Sequence, residues 1–274
     1  MGIVAISENL GSQGDEIGRE VARALGWRFA DREIIARAAE QYGEGVSELH
    51  HVIEERPTLW ERFTASKRHY LSYVEATIFE MAAHGHAVLV GHGAAVLLRG
   101  VPHALRVRVN APEPVRAERV RQAQGLVESA ARNVVRETDG ERASRIRFLY
   151  HVDVDDPLLY DLTLNTDRLT VTDGVRLVRE ALTAERLHTR ETGLGVVRDL
   201  SLAAQAKARL LRDERTRSLH LSVTAAGGRV TVAGVVDLET RHAAALEVVR
   251  GVPDVGEVVD EMVVSQISRS YVRT

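Results

Sequence analysis

Between residues 2 and 188 short apolar runs alternate with stretches of helical spacing, and that alternation constrains the fold more than any other feature. GIVAI (2–6) is the first run. A turn holding Gly11 and Gly14 follows; Ile17, Val21, Ala22 and Leu25 then recur at helical spacing until Gly26 supplies a stop. Residues 31–41 continue as helix, and Pro57 opens a long helical pattern that runs to Met81. AVLVG (87–91), LRVRVN (105–110) and YDLTLN (160–165) read as three more strands. Helical patterns cover 113–123, 126–150 and 172–188. Strands separated by helices need crossover connections, so the four strands imply a parallel sheet covered on both faces.

A polar stretch with two glycines, HTRETGLG (188–195), breaks this rhythm and reads as a linker. Beyond it DLSLAAQAKARLL reads as a helix, and LHLSVTA and RVTVAGV alternate at period two around Gly227 and Gly228, a hairpin signature. A helix from about Leu238 to Arg250 and the strand EVVDEMVV complete an αββαβ order, enough for a separate small domain. The chain has no cysteine, which excludes disulfides, thiolate zinc sites and a cysteine nucleophile. Its formal net charge of −3 offers no bulk attraction to nucleic acid or anionic membrane. The first residues lack a basic segment, and no apolar run approaches the ~20 residues that span a bilayer, so a cytoplasmic protein is expected.

A glycine turn between a first strand and a first helix is a common phosphate cradle, because backbone N–H groups and the helix N-terminus point at the anion. Here that segment is SENLGSQGDEIG, Ser7 to Gly18. It carries three carboxylates, Glu8, Asp15 and Glu16, and no base. Only two lysines exist in the chain, Lys67 and Lys207, and neither is near in sequence. Carboxylates beside a triphosphate repel it by ~1–4 kcal/mol per pair. Either Asp15 or Glu16 holds Mg²⁺ while distant arginines neutralise the phosphates, or the loop is degenerate and both acids only favour the helix's first turn.

Five segments carry a family resemblance by their joint order and spacing: SENLGSQGDEIG, FADREII (29–35), VLVGHGAAVLLRG (88–100), LRVRVNAPEPVRAERV (105–120) and DPLLYDLTLNTDRL (156–169). Together, over about residues 2–183, they resemble the cytidylate kinase-like family, a branch of the P-loop nucleoside monophosphate kinases. In that family the loop resembles SRxxGSGGREIG, the middle strand ends in GRGA and the chain closes with YDLxLNT. The C-terminal piece, about 199–265, resembles a BON domain through its leading helix, the GGRVTVAGVV hairpin and the ending VRGVPDVGEVVDEMVV. The fold expected is a three-layer α/β, P-loop NTPase-type parallel sheet over 1–188, a linker over 189–198 and a small α+β BON-like domain over 199–268.

The resemblance implies ATP-dependent phosphoryl transfer to a nucleoside monophosphate, with Mg²⁺ bridging the phosphates. ATP would lie over Gly11, Ser12, Gln13, Gly14, Asp15 and Glu16. Departures stand out there: Asp15 and Glu8 occupy positions that are arginine in the family, Gln13 replaces a glycine, and His92 replaces the arginine of GRGA. The lid would come from 126–150, where Asp139, Arg142 and Arg145 fall on one sector of a helix and Arg136 lies a turn before; the alternative is a solvated face laced with ion pairs. Asp31 reads as a monophosphate-pocket residue or as a helix N-cap, and Arg37 and His92 as further acceptor contacts. Expected partners are a small-molecule nucleotide, no nucleic acid, and a membrane surface or protein met through the BON-like domain. Other readings are a nucleotide sensor without turnover and a chain anchored through that domain.

Overall fold

The structure, a computed structural model, describes residues 2–43, 65–188 and 191–265, without the side chains of residues 32 and 65–70. The helical pattern expected from Pro57 therefore lies outside the described residues until Ala65. The chain runs β1 (Ile3–Glu8), α1 (Gly14–Leu25), β2 (Arg28–Ala30), α2 (Arg32–Tyr42), α3 (Ala65–Ala83), β3 (Ala87–Val90) and α4 (Ala94–Leu97). It continues through β4 (Ala104–Asn110), α5 (Glu113–Gln124), α6 (Glu128–Tyr150), β5 (Leu162–Asn165) and α7 (Val171–Ala181). Five parallel strands form one sheet in the order β2-β3-β1-β4-β5, one more than the sequence pattern showed. The extra strand, β2, is only three residues, RFA, at the sheet edge, and its exposed Arg28 hides it from any search for an apolar run.

The period-two alternation of β1 sorts the core into two layers. Ile3 and Ala5 face α2 and α3 together with Ile34, Ile35, Tyr73, Ile78 and Leu89. Val4 and Ile6 face α1 and α7 together with Ile17, Val21, Val88, Val107 and Val178. All strand residues of these layers are nearly inaccessible, as a sheet sandwiched between helices demands. Helix α7 starts with a reciprocal capping box between Thr170 and Asp173, but it ends at Ala181, short of the expected 188, and a 3₁₀ turn at Glu185–Leu187 follows. From β1 the chain builds β2 and β3 on one side of it and then crosses to β4 and β5 on the other. The crevice at the carboxyl ends of these strands is thus the topological switch point.

The second unit is a three-stranded sheet, β6 (Ser222–Ala226), β7 (Arg229–Val236) and β8 (Glu257–Val264), with α9 (Glu239–Arg250) crossing from β7 to its parallel neighbour β8. Gly227 and Gly228 make the hairpin turn at φ 58° and 79°, and both donate their N–H groups to the Asp199 carboxylate at 2.8 and 3.0 Å.

One helix joins the units. The stretch read as a linker is helical from Glu191, within α8 (Glu191–Arg212). Its Gly193 and Gly195 cost roughly 1 kcal/mol each in a helix interior, which is why the sequence looked broken there. Gly193 is used for close approach: a Cβ would stand 3.0 Å from Nδ1 of the buried His103. One face of α8, Val197, Leu200, Ala204 and Ala208, packs into the first unit's core. The other, Leu202, Ala206 and Leu210, packs beneath the small sheet.

Candidate functional site

Strand β1 delivers Ser7, Glu8 and Asn9 to the crevice, and the glycine turn follows at once. Gly11 and Gln13 are both left-handed, at φ 77° and 64°. At Gly11 no side chain would fit, because a Cβ would come within 2.7 Å of the Arg116 carbonyl. The turn is held from outside. Asp139 of α6 accepts from the Leu10 N–H at 3.0 Å, from Asn9 Nδ2 at 2.9 Å and from Arg116 Nη1 at 2.6 Å. Arg116 also donates to the carbonyls of Leu10 and Ala111. Arg119 donates to the Gly11 carbonyl and to both oxygens of Thr166, whose hydroxyl in turn donates to the Ser12 carbonyl. Asp139, grouped by spacing with Arg142 and Arg145, is thereby an anchor of the turn.

Glu8 has turned inward. Its Oε2 accepts the Asp15 N–H at 3.1 Å, over the start of α1, and a Cβ on Gly14 would meet that oxygen at 2.6 Å. Arg142 Nη1 donates to the Glu8 carbonyl at 3.3 Å and stands 4.0 Å from Oε1. Burial pushes the Glu8 carboxyl up to about 7, against the opposing pull of Arg142. The loop's N–H groups at Leu10, Ser12 and Asp15 are engaged by Asp139, the Asn9 carbonyl and Glu8. One of the three loop carboxyl groups is thus built into the cradle as a hydrogen-bond acceptor. Of the other two, Asp15 lines the crevice, whereas Glu16 takes Gln13 Nε2 at 3.1 Å and does not. Mg²⁺ binds through one or two carboxylates plus substrate phosphates, so Asp15 fits a metal role and Glu16 does not. Among the described residues no cluster of three metal-ligating side chains exists.

The crevice is a cavity of about 820 Å³ between the turn, the C-terminal half of α6 and the loop after β3. Arg142 and Arg145 both line it. Arg136 does not: it is 61% exposed and paired with Glu113 at 2.9 Å, the solvated alternative. Arg37 also lies outside, bonded to Glu80 at 2.8 Å. Asp31 lines the cavity and makes no capping bond to α2; its Oδ1 stands 3.7 Å from His92 Nε2. Asp31 thus occupies the N-cap position of α2 while its side chain lies at the cavity wall. Gly91, His92 and Gly93 are all left-handed, at φ 74°, 52° and 78°, an arrangement that costs His92 about 1 kcal/mol and presents it to the cavity. Tyr150, at the end of α6, packs on Gly93 and hydrogen-bonds the half-buried Glu75 of α3.

Sequence reasoning missed Arg108. It lies on β4 opposite Ser7, 6% exposed, and lines the cavity. Its signal was the pair of arginines that alternate with apolar residues in LRVRVN; the other, Arg106, is bonded to Asp161. Arg116 and Arg119 were equally invisible, since their distance from the loop in sequence conceals their grip on it.

The pattern of the cytidylate kinase-like family matches residues 3–168, and that of the BON domain matches residues 198–266. A cytidylate kinase of Pyrobaculum calidifontis is 31% identical over 179 residues, covering 65% of this chain and 90% of that protein. A cytidylate kinase of Methanopyrus kandleri is 26% identical over 189 residues, covering 66% and 92%. In fold, the chain is similar to the crystal structure of an uncharacterized protein from Eubacterium ventriosum, with 16% identity, a TM-score of 0.54, and coverage of 68% of this chain and 100% of that one.

Proposed function

The chain belongs to the cytidylate kinase-like family, and on that premise we propose that its first unit transfers the terminal phosphoryl group of ATP to a nucleoside monophosphate, cytidylate being the first candidate. One observation carries the reading. The bases missing from the loop are replaced by arginines from other elements: Arg108 from β4 and Arg142 and Arg145 from α6 line the same cavity as the turn. Phosphoryl transfer needs positioning and positive charge more than covalent chemistry, and arginines arriving from several elements meet that need.

In this reading the turn from Gly11 to Asp15 orients the triphosphate, and Asp15 holds Mg²⁺. The metal, when bound, neutralises phosphate charge and keeps the reacting groups in line. Arg142 and Arg145 face the transferring group. The apolar side chains of Leu71, Val74 and Ile146 cover the acceptor and exclude water, with Asp31 and His92 at its polar edge. A second reading, nucleotide sensing without turnover, draws support from Glu8, which fills part of the cradle with a carboxylate. The BON-like unit would follow either event through α8, because that helix is packed in both cores. The test is ADP formation by the full chain with ATP, Mg²⁺ and CMP. Turnover that requires CMP supports the kinase reading. Nucleotide binding with no ADP formed supports the sensor.

A further inference from the structure

Arg108 differs from Arg116, Arg119 and Arg142. Arg116 and Arg119 are committed to loop carbonyls, and Arg142 faces Glu8. Arg108 donates from Nη1 to Ser7 Oγ at 3.0 Å and from Nη2 to Asn9 Oδ1 and to Asp155 Oδ1, the last at 2.8 Å. Its guanidinium lies over the Tyr160 ring, 5.9 Å from the centroid, and the Tyr160 hydroxyl, which donates to the Val154 carbonyl at 2.7 Å, stands 3.3 Å from Ser7 Oγ. The pair it forms with Asp155 is lopsided. The Arg108 side chain is 7% exposed and the Asp155 side chain 69%, and both line the cavity. A guanidinium in a wall cannot leave, and without a partner its burial is costly. An exposed carboxylate at the mouth can swing into water at little cost and keep its hydration.

We propose that Arg108 is the anchor for the anionic group of the acceptor, and that Asp155 holds the place of that anion until it arrives. The chemistry favours a phosphate monoester. A planar guanidinium fork offers two parallel donors to phosphate oxygens, and the Ser7 hydroxyl beside it supplies a third contact. Seated there, the phosphate lies between the turn and the lid arginines, on the floor of the cavity. The proposal rests on the nucleotide reading above and adds to it the residue that selects a phosphorylated acceptor over its nucleoside.

Calorimetric titration of the full chain with CMP, cytidine and MgATP tests it. The parent should prefer CMP over cytidine. Asp155→Asn, an exposed and isosteric change, should raise CMP affinity about three- to tenfold and leave cytidine unchanged, because the competing anion is gone. Arg108→Met should cut CMP affinity about tenfold or more, toward that of cytidine, and Arg108→Lys should recover part of it, since the charge returns without the fork. Asp155→Asn keeps the test alive if Arg108→Met fails to fold. CMP binding whose ratio to cytidine ignores the substitutions at both positions overturns this assignment and leaves the kinase reading standing. So does a change confined to MgATP. A parent that binds neither CMP nor MgATP overturns both.

Discussion

Glu8 shows how far a single residue can mislead a reading of charge. In the sequence it is one of three acids where bases are usual. In the structure its carboxyl is an internal acceptor for the Asp15 N–H at the start of α1, with Arg142 beside it. The cap comes at a cost, since burial raises the Glu8 pKa from 4.5 to about 7. Between those values the folded state binds more protons than the unfolded state, so stability falls as pH rises from 4.5 to about 7 and the loss is complete above that. The full gap corresponds to roughly 3 kcal/mol. Glu8→Gln keeps the acceptor for Asp15 and removes the ionisation. It should raise the melting temperature at pH 8 and leave it nearly unchanged at pH 4.5; equal melting at both pH values would mean the side chain is not buried as described. The asset of Asp139 was likewise illegible. Its spacing with Arg142 and Arg145 is real, but its partners, Asn9, Leu10 and Arg116, are remote in sequence.

At the scale of elements, apolar runs were sufficient for β1, β3 and β4, which are buried on both faces, and for the edge strand β5, where Leu162 and the buried Leu164 carry the pattern. They failed at β2, where three residues with an exposed arginine leave no pattern, and at the start of α8, where two glycines mimic a linker. Helix α6 divides cleanly along its length. Arg136, near its middle, faces Glu113 and solvent, while Arg142 and Arg145, two turns on, face the cavity. Arg142→Ala should therefore weaken MgATP binding by ~1.5–3 kcal/mol, the scale of hydrogen bonds to a charged group. Arg136→Ala should not change it. Parallel losses in the two variants, read by calorimetry, would mean that the helix carries charge without direction.

Over the whole molecule, α8 decides whether the two units are independent. Residues Val197 and Ala208 are inaccessible in the first unit's core, and Ala206 is inaccessible in the second. A chain ended after residue 190 loses the first set along with the small sheet. Large truncations of well-packed apolar side chains cost about 2–5 kcal/mol each, and several are lost together. The shortened protein should melt well below the full chain, and the full chain should unfold in one calorimetric transition. Two separate transitions, with the first unit's melting unaffected by the cut, would show that α8 merely tethers.

The claim on which the rest depends is that the crevice holds a nucleotide whose phosphates are met by Mg²⁺ and by arginines outside the loop. Calorimetric titration of ATP into the full chain, with and without Mg²⁺ and with CMP present, measures this directly. At pH 8, where Glu8 and Asp15 leave the cradle negative, ATP binding is expected to be weak and to require Mg²⁺, and CMP is expected to bind at a separate site in the same cavity. Tight ATP binding in the absence of Mg²⁺, or no heat from either nucleotide, would contradict the claim.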